Sequence, residues 1–402
     1  MTTLTEIPLA DRLARLGSET AFSVSAEANA LAARGRTIYP FHLGDLNIIT
    51  PENIIEAAFR AARAGKTGYC SFYGIPELRE ALASDVARSH QIPLTAENVA
   101  IQPGGKPSIG KFILALMNPG DEVLYPNPGY PIYESQIEFH GGKARPYTFR
   151  EGPHNFEIDL DSLAQQITPR TRLLIYNNLQ TPTSAESSRD EMQAIADLAL
   201  RHDLIVLSDE AYFDIRYRGV SCSIASLPEM AQRTVILYTF SKKFAMTGWR
   251  LGATIGPKEI VDCVAKLNVN DESCSNHFIQ YGALEGLTGD PAGAHAILET
   301  LRPRRDRIVE LLNQIDGARC YCPDVTFYVF PNVTELMRRK GLEDYERFRR
   351  EVLHQTGVSF CTRLHFGRVL PGETEKYIRF AYSGIELPAI EEGLGRLAEW
   401  AR

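Results

Sequence analysis

The 402-residue chain lacks several features that define common protein classes. No apolar run approaches the ~18 residues needed to span a bilayer. The N-terminus has no basic segment followed by an apolar core, as a secretory signal would have. No long basic run occurs and the formal net charge is -7, which argues against nucleic acid or an anionic membrane as a partner.

Disulfide and metal-binding patterns are also missing. The seven cysteines are odd in number and scattered, unlike a disulfide framework, and they favour a reducing cytoplasm. Cys320 and Cys322 have the wrong spacing for a zinc knuckle, and no second pair or His-x-x-x-His motif accompanies them. We therefore expect a cytoplasmic protein that binds no metal.

The chain does show short apolar runs alternating with longer amphipathic stretches, a pattern typical of a mainly parallel sheet with helices on both faces. From about residue 290 the pattern changes to a long charged helix at 291–315, which indicates a separate small domain. The expected strands are residues 122–125, 173–176, 204–207, 234–238 and 251–255, followed by 325–330 and 377–381.

Residues 239–252 form the most informative stretch. Lys242 directly follows an apolar strand-like run, and Arg250 lies eight residues further on. A desolvated lysine at a strand end is suited to exist as a neutral amine that condenses with a carbonyl. An arginine can hold a phosphate through two parallel hydrogen bonds, so the pair suggests pyridoxal phosphate. A solvated surface lysine, the alternative, fits poorly because apolar residues flank Lys242 on both sides.

This stretch closely resembles the Schiff-base lysine signature of fold-type I pyridoxal-phosphate enzymes of the class I/II aminotransferase family, the aspartate aminotransferase superfamily. The resemblance extends from about residue 41 to 383. It implies an α/β fold with a large domain (46–290), whose mostly parallel sheet has seven strands, and a small α+β domain (291–402). It also implies an N-terminal arm (1–45) that packs partly on the small domain, and a homodimer with shared sites. Thr239 stands where the family usually has serine or glycine, but it keeps the hydroxyl that a phosphate oxygen needs.

Asp209 follows the run at 204–207, so its carboxylate is expected at a sheet edge, where burial requires a cationic partner. A protonated pyridine nitrogen would be such a partner, and the carboxylate would keep the ring able to accept electrons. In isolation, Asp209 could also be a helix N-cap. Tyr212 matches the family tyrosine that hydrogen-bonds the cofactor's phenolic oxygen, although it could instead be a buried aromatic residue.

Glycines at residues 104 and 105 open an expected helix, where backbone N–H groups can approach an anion. Their match to the family's phosphate-binding turn points to Gly104, Gly105 and Lys106. Tyr130 matches the aromatic residue that stacks on the pyridine ring, with a core tyrosine as the alternative. Tyr69 resembles the tyrosine that donates its hydroxyl to the phosphate in the neighbouring subunit's site.

Arg379 lies inside an apolar strand-like run, where a guanidinium needs an anion. Its fork suits an α-carboxylate, which is the role that the resemblance implies, whereas an ordinary salt bridge is the alternative. Gly44 matches a family glycine that lies near the substrate. Leu46 and Asn47 replace the proline and acidic residue that usually follow it.

Residues 176–185 resemble the family's Asn-Pro-x-Asn-Pro-Thr-Gly loop, with Thr181 in place of the second asparagine. That asparagine usually contacts the cofactor's phenolic oxygen and the substrate carboxylate. Threonine has a shorter reach and lacks the paired amide donors. The exchange either redirects which bond at Cα is broken, or is neutral because Asn178 or a water takes over the contact.

Asp271 and Glu272 lie close to Ser275 and Asn276, which resemble the pair that approaches the partner's site. Dicarboxylate-specific relatives carry an arginine in the neighbourhood that the two acidic residues occupy here. An acidic lining would repel aspartate and favour a cationic side chain. The alternative is a solvated acidic loop.

We therefore expect an enzyme that acts at Cα of an L-amino acid, with Lys242, Asp209 and Tyr212 as catalytic residues. An aminotransferase that uses a 2-oxo acid as second substrate is the leading hypothesis. Elimination, replacement, cyclisation or oxidation on the same scaffold is the alternative. A pyridoxal-phosphate-binding regulator is a third hypothesis, which the absence of a basic patch and of an N-terminal extension of winged-helix size argues against.

Overall fold

The computed structural model describes residues 7–17 and 19–402. The strands are β1 Tyr39–Pro40, β2 Val99–Gln102, β3 Glu122–Pro126, β4 Lys143–Tyr147, β5 Phe149–Glu151, β6 Phe156–Ile158, β7 Thr171–Tyr176, β8 Ile205–Asp209, β9 Thr234–Thr239, β10 Gly252–Ile255, β11 Tyr328–Val329, β12 Val358–Ser359, β13 Cys361–Thr362 and β14 Ile378–Ala381.

The α-helices are α1 Ala21–Ala32, α2 Glu52–Arg63, α3 Pro76–His90, α4 Lys106–Leu116, α5 Ile132–Phe139, α6 Leu160–Gln165, α7 Arg189–Arg201, α8 Phe240–Lys243, α9 Lys258–Asp271, α10 His277–Thr288, α11 Ala292–Asn313, α12 Thr334–Arg339, α13 Tyr345–Thr356 and α14 Leu387–Ala401. Short 3-10 helices lie at Asp11–Arg15, Ala96–Asn98, Ile224–Ser226, Met230–Gln232, Thr247–Trp249 and Arg363–Phe366.

A seven-stranded sheet forms the centre of the molecule, with the strand order β2-β10-β9-β8-β7-β3-β4. All neighbouring strands are parallel except β10, which runs antiparallel to both β2 and β9. The predicted mostly parallel sheet is therefore confirmed. The five strands expected in the large domain correspond to β3, β7, β8, β9 and β10, whereas the two outermost strands, β2 and β4, were not predicted.

The two strands that were not predicted, β2 and β4, lack the longer apolar run that identified the other five. Strand β2 has only four residues, and β4 carries a lysine, an arginine and a proline. The central strands are instead nearly continuous apolar runs, such as Leu173 to Tyr176, because helices cover both faces of the sheet. Parallel strands direct their carboxyl ends to one edge, so the loops that follow β3, β7, β8 and β9 meet there.

A second group of elements joins the two ends of the chain. Strands β11, β14 and β13 form a three-stranded antiparallel sheet, and β1 pairs in parallel with β12, with Tyr39 opposite Val358. Tyr39 and Phe41 lie in the same apolar cluster as Leu301 of α11 and Phe380 of β14. The expected strand at 325–330 forms a strand at β11, and Val325 makes an isolated β-bridge to Arg216. These contacts support an arm that joins the small domain, and the boundaries near residues 45 and 290 stay predictions.

None of the helices within residues 7–17 and 19–402 combines the length and the apolar character that a membrane crossing requires.

The contact between β1 and α14 gives a test of this junction. A Cβ atom at Gly393 would lie 2.6 Å from Cγ of Tyr39, whereas one at Gly395 would meet nothing within 4 Å. We expect Gly393→Ala to destabilise the protein by about 1–3 kcal/mol because it overpacks the junction. Gly395→Ala should be neutral or stabilising by up to ~1 kcal/mol, since alanine favours the helix. Thermal and urea unfolding measure both, and equal effects of the two variants would contradict the packing.

Candidate active site

A cavity of about 510 Å³ opens where the carboxyl ends of β3, β7, β8 and β9 meet. Its wall comes from the ends of these strands, from the beginning of α4, from the N-terminal part of the chain, and from β11 and elements after it. The lining residues are Glu19, Ala21, Phe22, Leu43, Gly44, Asp45, Gly105, Lys106, Ile109, Tyr130, Pro131, Tyr133, Asn177, Thr181, Asp209, Ala211, Tyr212, Leu237, Thr239, Ser241, Lys242, Thr247, Arg250, Tyr328, His365, Phe366 and Arg379.

Lys242 lies on this wall, in the short helix α8 that directly follows β9. Its Nζ donates a hydrogen bond to the carbonyl of Gly44 at 2.8 Å and forms no ion pair with a carboxylate of the described ranges. The ring of Phe327 is 5.3 Å from Nζ. Burial is the main cause that lowers the pKa of Lys242 to about 8, and the charges of Arg379 and Arg250 act in the same direction. The side chain therefore does not behave as a solvated surface lysine.

Asp209 ends β8 and is buried. Oδ2 accepts a hydrogen bond from the Tyr133 hydroxyl at 2.6 Å, and Oδ1 accepts one from the Ala211 N–H at 3.2 Å. Turns rather than a helix follow Asp209, so it is not a helix N-cap. Burial raises the pKa of Asp209 to about 6, since no cation contacts the carboxylate within the described residues. A protonated pyridine nitrogen would supply the missing cation.

Three kinds of anion-binding group meet at the beginning of α4. Gly104 has a φ of 104°, and a Cβ there would collide with the guanidinium of Arg250. Gly105 and Lys106 begin the helix, where free N–H groups face the cavity end of α4. Thr239 Oγ1 lies 2.9 Å from Ser241 Oγ, so two hydroxyls complete the set. A phosphate group fits this arrangement of N–H, hydroxyl and guanidinium donors.

Arg379 reaches the cavity from β14 and is buried. Its Nη2 donates to the carbonyl of His42, and its guanidinium lies 4.6 Å from the ring centre of Tyr328 and 4.8 Å from that of Phe366. Nε is buried without a hydrogen-bond partner, and no carboxylate of the described chain pairs with this guanidinium. The expected alternative, a structural salt bridge, is therefore absent from the described part. An α-carboxylate fits the open donors.

Tyr328 is a site residue that the sequence reasoning missed. Its hydroxyl lies 2.6 Å from the Tyr212 hydroxyl, and a Cβ at Gly44 would collide with it. The close approach of this aromatic residue of β11 thus requires glycine at position 44. Tyr212 lines the cavity as well. Tyr130 also lines the cavity, and its hydroxyl donates to Glu19, another residue without any recognisable sequence signal.

The loop after β7 corrects one prediction. Thr181 lines the cavity, and its Oγ1 is buried without a hydrogen-bond partner in the described residues. Asn178 turns away, with its amide contacting the Cys222 carbonyl and the Ser187 N–H. Asn177 lines the cavity instead, where Oδ1 accepts from the Thr181 N–H at 3.1 Å. Neighbouring residues at a strand end face opposite sides, so the prediction selected the wrong one of the two asparagines.

The acidic pair Asp271 and Glu272 contacts a buried lysine of its own chain. Glu272 Oε1 accepts a hydrogen bond from the buried Lys111 Nζ at 2.5 Å, and Asp271 lies 3.8 Å from the same ammonium. Neither carboxylate lines the cavity of its own chain. A buried lysine requires anionic partners, so the pair neutralises Lys111 and is not an acidic lining of this cavity. Tyr69 lies away from the cavity of its own chain and is 87% exposed, so its role in the neighbouring subunit's site stays a prediction.

Taken together, a lysine with a lowered pKa, a buried carboxylate and a phosphate-shaped donor set in one α/β cavity define a fold-type I pyridoxal-phosphate enzyme. The sequence profile of the family described as "Aminotransferase class I and II" matches residues 39–397. The chain belongs to this family, whose members use pyridoxal 5'-phosphate. The family, the fold and the cofactor predicted from the sequence are therefore confirmed.

Individual relatives agree with this assignment. An aspartate aminotransferase from Musicola paradisiaca is 33% identical over 380 residues, which cover 94% of this chain and 92% of the relative. An asparagine–oxo-acid transaminase from Streptococcus mutans is 29% identical over 394 residues, which cover 97% of this chain and 98% of the relative. Among solved structures, an alanine aminotransferase from Pyrococcus furiosus superimposes with a TM-score of 0.89 at 26% identity, covering 98% of this chain and 99% of that one.

The phosphate-binding arrangement can be tested at Gly104. Gly104→Ala should weaken cofactor binding at least about tenfold, because the new methyl group displaces the Arg250 guanidinium and costs a charge-assisted hydrogen bond. Gly120→Ala is the matched control, since Gly120 also has a positive φ of 91° but meets nothing within 4 Å. Absorbance titration of the apo-protein with pyridoxal phosphate measures the affinity. Equal losses in the two variants would show that backbone strain alone acts.

The lowered pKa of Lys242 gives a pH dependence. Only the neutral amine is nucleophilic, so labelling of Lys242 in the apo-protein by trinitrobenzenesulfonate should rise with pH and reach half its maximal rate near pH 8. Peptide mapping by mass spectrometry follows this one site, and Lys242→Ala identifies its peptide. A half-maximal rate above pH 10 would show that the ammonium is not desolvated.

Proposed function

We propose that this enzyme transfers the α-amino group of an L-amino acid to a 2-oxo acid, with Lys242 as the residue that both attaches pyridoxal phosphate and moves the substrate's proton. The proposal rests on one observation: Lys242, with its pKa lowered to about 8, shares a cavity with a buried carboxylate, a phosphate-binding turn and a buried arginine that has open donors.

Five groups of this chain would hold the cofactor. The Lys242 amine would attach it, and the Asp209 carboxylate would keep its pyridine nitrogen protonated. Arg250, Thr239 and the N–H groups at the beginning of α4 would bind its phosphate. When bound, pyridoxal phosphate supplies an electron-accepting ring that weakens the bonds at the substrate's Cα.

The substrate would be held by Arg379 through its α-carboxylate, which satisfies the buried guanidinium. Lys242, freed by the incoming amine, would remove the proton from Cα and deliver it to the C4' carbon. An amine with a pKa near 8 is well suited to both steps at neutral pH, because it can accept and release a proton. Relatives named aspartate aminotransferase and asparagine–oxo-acid transaminase support a 2-oxo acid as acceptor.

We further propose that the enzyme is a homodimer and works in the cytoplasm. Tyr69 and Phe72 are exposed in one loop, where a second copy of the chain would cover them and where Tyr69 would reach the partner's phosphate. The seven cysteines are free thiols, as a reducing compartment maintains them.

The reaction can be separated from its alternatives by stoichiometry. A single amino acid without acceptor should yield one 2-oxo acid per site and convert the cofactor to its amine form, and added 2-oxoglutarate should make turnover continuous. Absorbance of the cofactor and mass spectrometry of the products measure both.

Arg379→Lys should lower kcat/KM about 10- to 100-fold, since lysine cannot form the bidentate contact with the substrate's α-carboxylate.

Lys242→Ala is the inactive reference for this experiment. Continuous release of ammonia or hydrogen peroxide without a 2-oxo acid acceptor would overturn transamination and indicate elimination or oxidation. These are the alternative reactions that Thr181, in place of the family's asparagine, made it necessary to consider.

A further inference from the structure

Three residues from the N-terminal part of the chain, Glu19, Ala21 and Phe22, line the cavity. The Gly17 N–H donates to Ser135 Oγ of α5 at 2.9 Å, and Ser135 Oγ lies 3.3 Å from the Gly17 carbonyl. Helix α1 begins at Ala21, and Ala21 and Phe22 line the cavity. The Glu19 side chain is held on the cavity wall by its contacts with Lys106 and Tyr130.

The Glu19 carboxylate makes all its contacts through one oxygen. Oε1 accepts a hydrogen bond from Lys106 Nζ at 2.5 Å and another from the Tyr130 hydroxyl. Oε2 receives no hydrogen bond from residues 7–17 or 19–402. The Glu19 side chain keeps 19% of its surface exposed. One carboxylate oxygen is thus left available on the wall of the cavity.

Glu19 also acts on the reacting part of the site. Its negative charge opposes the lowering of the Lys242 pKa, and it helps to raise the pKa of Tyr328, which lies against Arg379. The carboxylate, the attaching lysine and the expected α-carboxylate site therefore belong to one electrostatic environment. A substrate fixed by Arg379 would extend its side chain within the same cavity.

The ion pair between Glu19 and Lys106 determines which charge a substrate side chain would contact on this wall of the cavity. A distal carboxylate would need a cation on the wall, and the ammonium of Lys106 is already neutralised by Glu19. The same carboxylate would repel it. A cationic side chain can instead use Oε2, an open acceptor for a charge-assisted hydrogen bond, while the Lys106 ammonium stays on Oε1.

We propose that Glu19 is a specificity-determining residue that selects amino acids with a guanidinium or ammonium side chain over dicarboxylic amino acids. This inference rests on the proposed transamination only for its kinetic test. Glu19 lies on the cavity of its own chain, whereas Asp271 and Glu272 contact Lys111. It also separates this chain from relatives that are named aspartate aminotransferases.

Binding tests the proposal without turnover. Two acids without an α-amine, 5-guanidinopentanoate and glutarate, are titrated into the cofactor-loaded enzyme by calorimetry. The wild type should bind the guanidino acid at least about tenfold more tightly than glutarate. Glu19→Gln should weaken the guanidino acid about 10- to 100-fold, as expected for the loss of a charge-assisted hydrogen bond. It should also tighten glutarate several-fold, since Lys106 loses its partner.

Glu80→Gln is the matched control, because Glu80 is an exposed glutamate of α3 outside the cavity, and its affinities should equal those of the wild type. In kinetics, the ratio of kcat/KM for arginine to that for aspartate should fall by the same factor in Glu19→Gln. A wild type that binds glutarate better, or a ratio that Glu19→Gln leaves unchanged, would overturn the proposal.

Failure of transamination itself gives a different result. In that case 2-oxoglutarate would not stimulate turnover of any amino acid by the wild type and the cofactor would not be converted to its amine form, whereas the binding preference and its loss in Glu19→Gln would still be measured. Normal formation of a 2-oxo acid with an unaltered binding preference would instead reject Glu19 alone.

Discussion

Removal of water from two opposite charges, the Lys242 ammonium and the Asp209 carboxylate, is the constraint on which the site depends. Burial lowers the pKa of the lysine and raises that of the aspartate, so both side chains move towards their neutral forms. The two groups do not satisfy each other, because Lys242 contacts the Gly44 carbonyl and Asp209 contacts Tyr133. Each is therefore poised for a bound group that carries an aldehyde at one end and a basic ring nitrogen at the other.

The sheet makes this arrangement possible and explains why most of it could be predicted. Asp209 and Lys242 follow neighbouring parallel strands, and apolar runs identify those strands in the sequence. Residues at the carboxyl ends of neighbouring parallel strands meet at one edge of the sheet. The order of the motifs along the chain was therefore sufficient to predict that Asp209 and Lys242 lie close together. Arg379 was predictable for a different reason, since a guanidinium within an apolar strand needs an anion.

The remaining features depend on tertiary packing. Whether Asn177 or Asn178 faces the cavity depends on the backbone conformation of the turn after β7. An irregular loop motif does not predict that conformation. The contact of Glu272 with Lys111 joins α9 to α4 across 161 positions of the chain, so neither residue indicates the other. Glu19 is held on the cavity wall by Lys106 and Tyr130, and Gly17 contacts Ser135 nearby. Local patterns carry no information about contacts of this kind.

The pairing of β1 with β12 has a consequence for biosynthesis. Tyr39 pairs with Val358, and the apolar cluster around them extends to Ala401, so this core is made from both ends of the chain. The central sheet needs only residues up to Ile255. Closing a loop of this length is entropically costly and follows the formation of more local contacts. During synthesis the sheet can therefore form while the C-terminal part is still in the ribosome. Tyr39 becomes buried only after nearly the entire chain has been synthesised.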